Sequence, residues 1–153
     1  MPDQSSPCVF CAIAQGQAPA QVILQDELSL CILDIAPFSE GHCLVIPRRH
    51  VPWWHELSQA ETASLFELAR RGANLLMEAF APEMVTMYAR GRRIPHTHIF
   101  LVPTRAGEVL DSFFNALERF QESPGLLAGL GQEERLAQAG MRLRARAAQA
   151  GGH

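Results

Sequence analysis

Residues 94–103, IPHTHIFLVP, place two histidines two positions apart in an apolar run rich in β-branched residues. In an extended strand side chains alternate between the two faces, so His96, His98 and Phe100 are predicted to project on one side. Two imidazoles on one surface can ligate a metal, act in catalysis, or serve as core histidines whose ring nitrogens are hydrogen-bonded. Residues elsewhere in the chain distinguish these uses.

The composition indicates a soluble globular protein. A chain of 153 residues, 48% hydrophobic and 19% charged, is expected to form one domain around a single core. The formal charge of −3 argues against nucleic-acid binding, because a phosphate backbone is held by a surplus of Lys and Arg. No apolar stretch approaches 18 residues, and the opening MPDQSSPC lacks the features of a secretory signal. We therefore expect a cytoplasmic protein with no membrane segment.

Hydrophobic patterns along the chain predict five strands and three helices. The segment QVILQDELSLCILDI predicts a hairpin that turns near Asp26, and HCLVIPRRH predicts a third strand. EMVTMYARG and RRIPHTHIFLVPT predict two more strands, joined around Gly91. A long helix is predicted to start at Ser58, with Glu61 in the capping-box position, and helical patterns recur in residues 107–123 and 133–150.

This order predicts an α+β fold with an antiparallel five-stranded sheet, a long helix and C-terminal helices. We expect a single domain over residues 1–153, with a core of about residues 8–105 and a helical extension over residues 106–150.

Four cysteines are expected to be reduced in the cytosol, where thiols are available to metals. Cys8 and Cys11 form CVFC, a spacing that lets two thiolates meet one ion, although it is also typical of redox motifs and of buried free thiols. Cys31 and Cys43 lie among apolar residues on predicted strands, where we expect small buried side chains.

Three separated motifs resemble those of the histidine triad (HIT) family, which includes nucleotidyl hydrolases and transferases. CVFCAIAQGQAPAQVILQDE resembles the family's opening Cys-x-x-Cys, turn and first strands, LDIAPFSEGHCLVIPRRH its nucleoside-binding hairpin, and PHTHIFLVP its histidine signature. The resemblance runs from residue 8 to residue 103.

The resemblance implies roles for individual residues. His98 would attack the α-phosphorus and carry a nucleotidyl group, with its other ring N–H held by the backbone carbonyl of Phe100. A purine nucleoside monophosphate would be bound by Leu33, Asp34, Ile35, His42, Arg92 and Phe100. A structural zinc ion would be held by Cys8, Cys11, His50 and His96. Dimerisation through the long helix and an adjacent strand is also implied, which makes a homodimer the expected assembly.

Three departures from the family pattern affect the phosphate side of the site. Phe100 stands where hydrolytic members have a third histidine, and Arg92 stands where they often have Gln. Thr104 stands where an Arg often follows the signature proline. Three hypotheses remain open: a nucleotidyl hydrolase or transferase working through His98, a nucleotide-binding protein with little catalysis, and a zinc enzyme with His96 and His98 on one open metal. Asp34 also has an alternative role as a turn-forming residue at a strand end. Trp53 and Trp54 have no assigned role.

Overall fold

The computed structural model describes residues 8–123, 125, 127 and 129–150, so the opening residues on which the signal-peptide expectation rests lie outside it. The chain divides into two compact units, the first ending at Leu110 and the second starting at Asp111. Within the described part, no helix is both long enough and apolar enough to cross a bilayer.

The first unit contains the five-stranded antiparallel sheet that the sequence predicts, in the order β1-β2-β3-β5-β4. Its elements are α1 (Val9–Ala14), β1 (Val22–Gln25), β2 (Ser29–Leu33), β3 (Cys43–Pro47), a 3₁₀ turn (Trp54–Glu56), α2 (Gln59–Phe80), β4 (Met84–Tyr88) and β5 (Ile99–Thr104). The second unit contains α4 (Glu133–Ala150) and all but the first two residues of α3 (Val109–Glu122).

Helix α2 packs on one face of the sheet and starts as the sequence predicts. The Ser58 hydroxyl accepts from the Glu61 N–H at 3.2 Å, and the Glu61 carboxylate accepts from the Ser58 N–H at 2.8 Å, which completes a capping box. Side chains from α2, β2, β3 and β5 form the core beneath it: Leu65, Leu68, Ala69, Leu76, Cys31, Cys43, Val45, Ile99 and Leu101. The burial of Cys31 and Cys43 in this core is confirmed.

The opposite face of the sheet is covered by α1, a six-residue helix where the sequence predicts only a short knuckle. Phe10 of α1 is buried there with Leu30, Ile32, Leu44 and Ile46, and Phe100 packs against the same cluster. Two separate clusters form because side chains alternate along a strand, so neighbouring residues of β3 lie on opposite faces of the sheet. His96 and His98 lie on this α1 side, next to Phe10.

Strand β5 begins at Ile99, so His96 and His98 precede it and are not strand residues as predicted. The register explains the difference. Val45 pairs with Ile99, which would place Thr97 opposite Pro47 if the antiparallel ladder continued. Proline has no N–H to donate, so the ladder stops, and the Thr97 N–H donates instead to the Val51 carbonyl at 2.6 Å.

Candidate functional site

Four potential metal ligands from three parts of the chain converge below α1. The ligand atoms of Cys8, Cys11, His50 and His96 all lie within 4.8 Å of one another. The Cys8 Sγ lies 3.4 Å from His96 Nδ1, and the Cys11 Sγ lies 3.3 Å from His50 Nδ1. Tetrahedral zinc, with bonds of about 2.3 Å to sulfur and about 2.0 Å to nitrogen, separates such ligand pairs by about 3.5 Å. The donor types and spacings therefore fit zinc.

The outer hydrogen bond of His96 favours its use as a metal ligand. Its Nε2 lies 2.9 Å from the Pro47 carbonyl, so a proton on Nε2 leaves the Nδ1 lone pair facing the two thiols. Burial lowers the pKa of His96 to about 4, against the effect of the Pro47 hydrogen bond and with a further lowering from His50. The imidazole is therefore neutral at pH 7, as ligation requires.

The Cys11 thiol also suits a metal site. Desolvation, together with the neighbouring Cys8 thiol, raises its pKa to about 11. A bound divalent cation would lower this pKa again, because it stabilises the thiolate. His98 is outside the four-ligand group, and its Nδ1 is occupied by a backbone carbonyl. This geometry does not favour the hypothesis in which His96 and His98 share one open metal.

The His98 ring is held in one orientation from the backbone. Its Nδ1 lies 2.6 Å from the His96 carbonyl, and the residue is 7% exposed. The predicted acceptor, the carbonyl of Phe100, is wrong; the carbonyl two residues before His98 serves instead. A proton on Nδ1 donates to that carbonyl and leaves a lone pair on Nε2. The rings of Phe10 and Phe100 flank the imidazole, with centroids 5.2 and 4.9 Å away.

His42, just before β3, lies beside Asp34, just after β2. His42 is 1% exposed, and its Nδ1 accepts from the Phe38 N–H at 3.2 Å. Its Nε2 has no hydrogen-bond partner in the described part of the chain and lies 3.6 Å from Asp34 Oδ2. Burial lowers the pKa of His42, although the Asp34 carboxylate acts in the opposite direction, so the ring is neutral at pH 7. Nε2 then carries a buried donor without a partner.

Asp34 has the turn-forming role considered for it in the sequence. Its Oδ1 accepts from the Ala36 N–H at 2.8 Å, which is the turn-forming role, while Oδ2 faces His42. Leu33 is half-buried next to it, and Ile35 is fully exposed. The predicted nucleotide-binding residues of this hairpin therefore lie together, with Ile35 pointing into solvent.

The Phe100 ring packs against the rings of both His98 and His42. Its ring centroid lies 4.9 Å from that of His98 and 5.6 Å from that of His42. On its other side it stacks on Tyr88 at 4.5 Å with an interplanar angle of 6°. Sequence reasoning missed Tyr88, which the sheet register places directly opposite Phe100 on β4.

The two arginines near the ends of β5 differ in their surroundings. Arg92 is exposed in the segment between β4 and β5, and it makes no hydrogen bond or ion pair within the residues described. Arg105 donates to the carbonyls of Phe80 and Ala81 at 2.6 and 3.2 Å, which satisfies the C-terminal end of α2. Of these two, Arg92 has the guanidinium that remains available for a ligand.

A small pocket of about 110 Å³ adjoins His98 on the side of the 3₁₀ turn. Its walls include Trp53, Trp54, Arg90 and Thr97. Thr97 is 3% exposed, and no described residue forms a hydrogen bond with its hydroxyl. A larger open cleft of about 590 Å³, lined by Phe38, Phe80, Glu40 and Glu108 among others, includes neither His98 nor the metal ligands.

Comparison with known protein families finds a match to the HIT domain over residues 15–107. An adenosine 5'-monophosphoramidase from Schizosaccharomyces pombe is 36% identical over 101 residues, which cover 63% of this chain and 73% of that protein. An adenylylsulfatase from Arabidopsis thaliana is 32% identical over 108 residues, which cover 67% of this chain and 55% of the plant protein.

Solved structures agree with the sequence comparison. A zinc-bound histidine triad family protein from Mycobacterium smegmatis has a TM-score of 0.62 and 35% identity, over 67% of this chain and 78% of that one. A HIT family protein from Bacillus subtilis has a TM-score of 0.75 and 25% identity, over 92% of this chain and 97% of that one.

Proposed function

This chain belongs to the HIT domain family, and from that membership we propose that it is a nucleotidyl hydrolase or transferase with His98 as its nucleophile. The substrate would be a purine nucleoside monophosphate joined to a leaving group through a phosphoramidate or phosphoanhydride bond. Two relatives, named for activity on an adenosine monophosphoramidate and on an adenylyl sulfate, support this class because both names describe AMP joined to another group.

The orientation of His98 is the observation that carries the proposal. With Nδ1–H bound to the His96 carbonyl at 2.6 Å, the neutral ring presents its Nε2 lone pair as a nucleophile. Nε2 would attack the α-phosphorus, and the bond from phosphorus to the leaving atom would break with its electron pair. The leaving group takes up a proton, and the His98–phosphorus bond is then broken by water in a hydrolase or by an acceptor in a transferase.

The hairpin at the end of β2 would hold the nucleoside. Asp34 Oδ2 lies 3.6 Å from the buried Nε2–H of His42, so the imidazole would support the carboxylate while the carboxylate accepts from a ribose hydroxyl. Leu33 and Ile35 would contact the base. Arg92, without a partner in the described structure, would approach the phosphate.

Zinc is the proposed metal of the Cys8, Cys11, His50 and His96 cluster. Two thiolates and two imidazoles complete a tetrahedron and leave no position for water, so the ion would serve structure by joining α1 to the ends of β3 and β5. The zinc-bound mycobacterial relative supports the assignment. Every step at phosphorus is assigned to residues outside this cluster.

We also propose a homodimer, as the family resemblance implies. Strand β4 is an edge strand of the described sheet, and its Met84 and Met87 are each 53% exposed. On α2, Phe66, Leu75 and Met77 are also exposed. Unpaired edges and exposed apolar side chains are typical of surfaces that another chain covers. Sedimentation of the purified protein at micromolar concentration tests this, and a monomer contradicts it.

Phe100 supports a second candidate, a nucleotide-binding protein with little catalysis. A phenyl ring donates no hydrogen bond to a departing group, and its stacking on Tyr88 holds it in the site. The two candidates differ in whether a covalent intermediate forms.

Trapping that intermediate tests the proposed function. The protein is mixed with an activated AMP ester, quenched in acid-free denaturant and analysed by mass spectrometry for a nucleotidyl adduct. We expect an adduct on His98 and none in His98→Ala, which should also lose turnover. Tight nucleotide binding without any adduct supports the binding protein, and full turnover in His98→Ala refutes the covalent mechanism.

A further inference from the structure

The pocket beside His98 contains groups that the proposed reaction has not yet used. Its volume of about 110 Å³ is well below the roughly 300 Å³ at which pockets hold a whole ligand, so it suits one ring of a larger molecule. It lies between the 3₁₀ turn that begins at Trp54 and the turn around Gly91. The side chain of Trp53 lies 3.8 Å from the position that a Cβ on Gly91 would occupy, which brings the two turns together.

The walls of the pocket combine aromatic surface with one positive charge. Trp53 and Trp54 are 46% and 53% exposed, although tryptophan is among the most costly side chains to leave in water. Arg90 forms no ion pair or hydrogen bond among the described residues, so its guanidinium is available. Indole faces stack on planar rings, and a guanidinium binds carboxylate or phosphate.

Thr97 also lines this pocket. Its side chain is 97% buried, and its hydroxyl has no partner in the part of the chain that the structure describes. A buried hydroxyl without a hydrogen bond is destabilising. Because His98 lines the same pocket, a ligand there would lie next to the residue proposed to attack phosphorus.

We propose that this pocket is the leaving-group subsite, and that Trp53, Trp54 and Arg90 select a leaving group with an aromatic ring and an anionic substituent. The inference rests on the proposed function, because it assigns the pocket to the group displaced when His98 attacks phosphorus. Trp53 and Trp54 would contact the ring, and Arg90 would bind the anion. The nucleoside would remain in the separate site formed by Asp34 and His42.

Three conjugates of AMP test the subsite: with phenylalanine, with cyclohexylalanine and with phenethylamine, each joined through the amine nitrogen to phosphorus. Cyclohexylalanine keeps the carboxylate and bulk but lacks the aromatic ring, whereas phenethylamine keeps the ring but lacks the carboxylate. Binding is measured with analogues in which CH₂ replaces that nitrogen, so the result does not depend on turnover. Calorimetry measures binding in every variant, because Trp53 and Trp54 are the two tryptophans of the sequence and a variant without them has no indole fluorescence to report occupancy.

We expect the phenylalanine analogue to bind about 5- to 150-fold more tightly than the cyclohexylalanine analogue, the range expected for one aromatic stack. The double variant Trp53→Leu/Trp54→Leu should remove this preference while retaining binding of the cyclohexylalanine analogue. Arg90→Gln should reduce the advantage of phenylalanine over phenethylamine by about 1.5- to 5-fold, as for an exposed ion pair. Arg93→Gln, an exposed arginine of the same segment that does not line the pocket, is the matched control and should change neither ratio.

Equal affinities of the wild-type protein for all three analogues overturn the subsite, as does an aromatic preference that survives in the double variant. The covalent mechanism is judged separately by the cleavable conjugates. If the aromatic preference is present but no conjugate is cleaved and no His98 adduct forms, the proposed enzyme is refuted and the pocket stands as a ligand-binding site. If all conjugates are cleaved without preference, the enzyme stands and the subsite is refuted.

Discussion

Replacing Phe100 by histidine should speed the release of poor leaving groups. The Phe100 ring lies 4.9 Å from the His98 ring, so an imidazole at this position would reach a group that departs from phosphorus bound to His98. One well-placed donor in an active site contributes about 10²–10³ in rate, or about 2.7–4 kcal/mol. We expect a gain of up to about 100-fold in kcat/KM with an alkyl phosphoramidate of AMP, because an alkylamine must be protonated to leave. A nitrophenyl ester of AMP should change little, since nitrophenolate departs without a proton.

The same substitution should cost stability. The stack of Phe100 on Tyr88, at 4.5 Å and 6°, contributes about 0.5–1.5 kcal/mol beyond its buried area. Phe100 also packs against the cluster that contains Leu44 and Ile46, so a total loss of about 1–2 kcal/mol is expected. For a chain of this size that lowers the melting temperature by roughly 2–8 °C.

Phe100→Leu provides the matched control because it removes the stack without adding a donor. Both variants should melt earlier than the wild type, but only Phe100→His should raise the ratio of phosphoramidate to ester turnover. Steady-state kinetics with both substrates and calorimetric melting measure the two effects. If the ratio is the same in Phe100→His and Phe100→Leu, the absence of a hydrogen-bond donor at position 100 is not what slows the leaving group.

Three other predictions concern the metal, the ribose and an ion pair. Cys11→Ser should bind less than the one equivalent of zinc per chain expected for the wild type. Folding stability should fall by about 2–3 kcal/mol, which lowers the melting temperature by roughly 5–10 °C. Elemental analysis and melting with a chelator check this, and a wild-type melting temperature insensitive to the chelator contradicts it. Asp34→Ala should weaken ribonucleotides by roughly tenfold or more but hardly affect 2′-deoxynucleotides, so equal losses by calorimetry would exclude ribose recognition by Asp34. The hydrogen bonds that Glu61 accepts from Arg49, together with the capping box, lower the pKa of Glu61 to about 2. Their contribution to the free energy of unfolding is therefore full above about pH 4.5 and is lost as the pH falls through about 2. Because Arg49 is 57% exposed, we expect Glu61→Gln to cost only about 1–2 kcal/mol at pH 7, with little cost at pH 2. Urea unfolding of both proteins from pH 7 to pH 2 measures this, and a constant difference would show that the pair is not its source.

The elements that the sequence predicted well depend on local patterns. Alternating apolar residues located all five strands, and Ser58 with Glu61 located the start of α2, because capping acts within one turn. The convergence of Cys8 and Cys11 with the histidines could be predicted only through family resemblance, since spacing within CVFC says nothing about distant ligands.

The features that were missed depend on contacts between distant residues. The early end of the β3–β5 ladder follows from Pro47 facing Thr97, which requires knowledge of the register. The stacking of Tyr88 on Phe100 likewise depends on which residues of β4 and β5 are opposite each other. The grouping of Trp53 with His98 brings together two loops that the sequence separates by more than forty residues, so no local signal marks it.

The segment from His96 to His98 links the proposed metal cluster to the proposed nucleophile. The ring of His96 faces the cysteines, while its carbonyl accepts from His98 Nδ1 at 2.6 Å. A shift of the His96 backbone would therefore move the acceptor that keeps the lone pair on Nε2. The stack of Phe100 on Tyr88 involves none of the four proposed ligands. Loss of zinc should consequently impair attack on every substrate alike, whereas changes at Phe100 should discriminate between leaving groups, because the first acts on the nucleophile and the second on the group that departs.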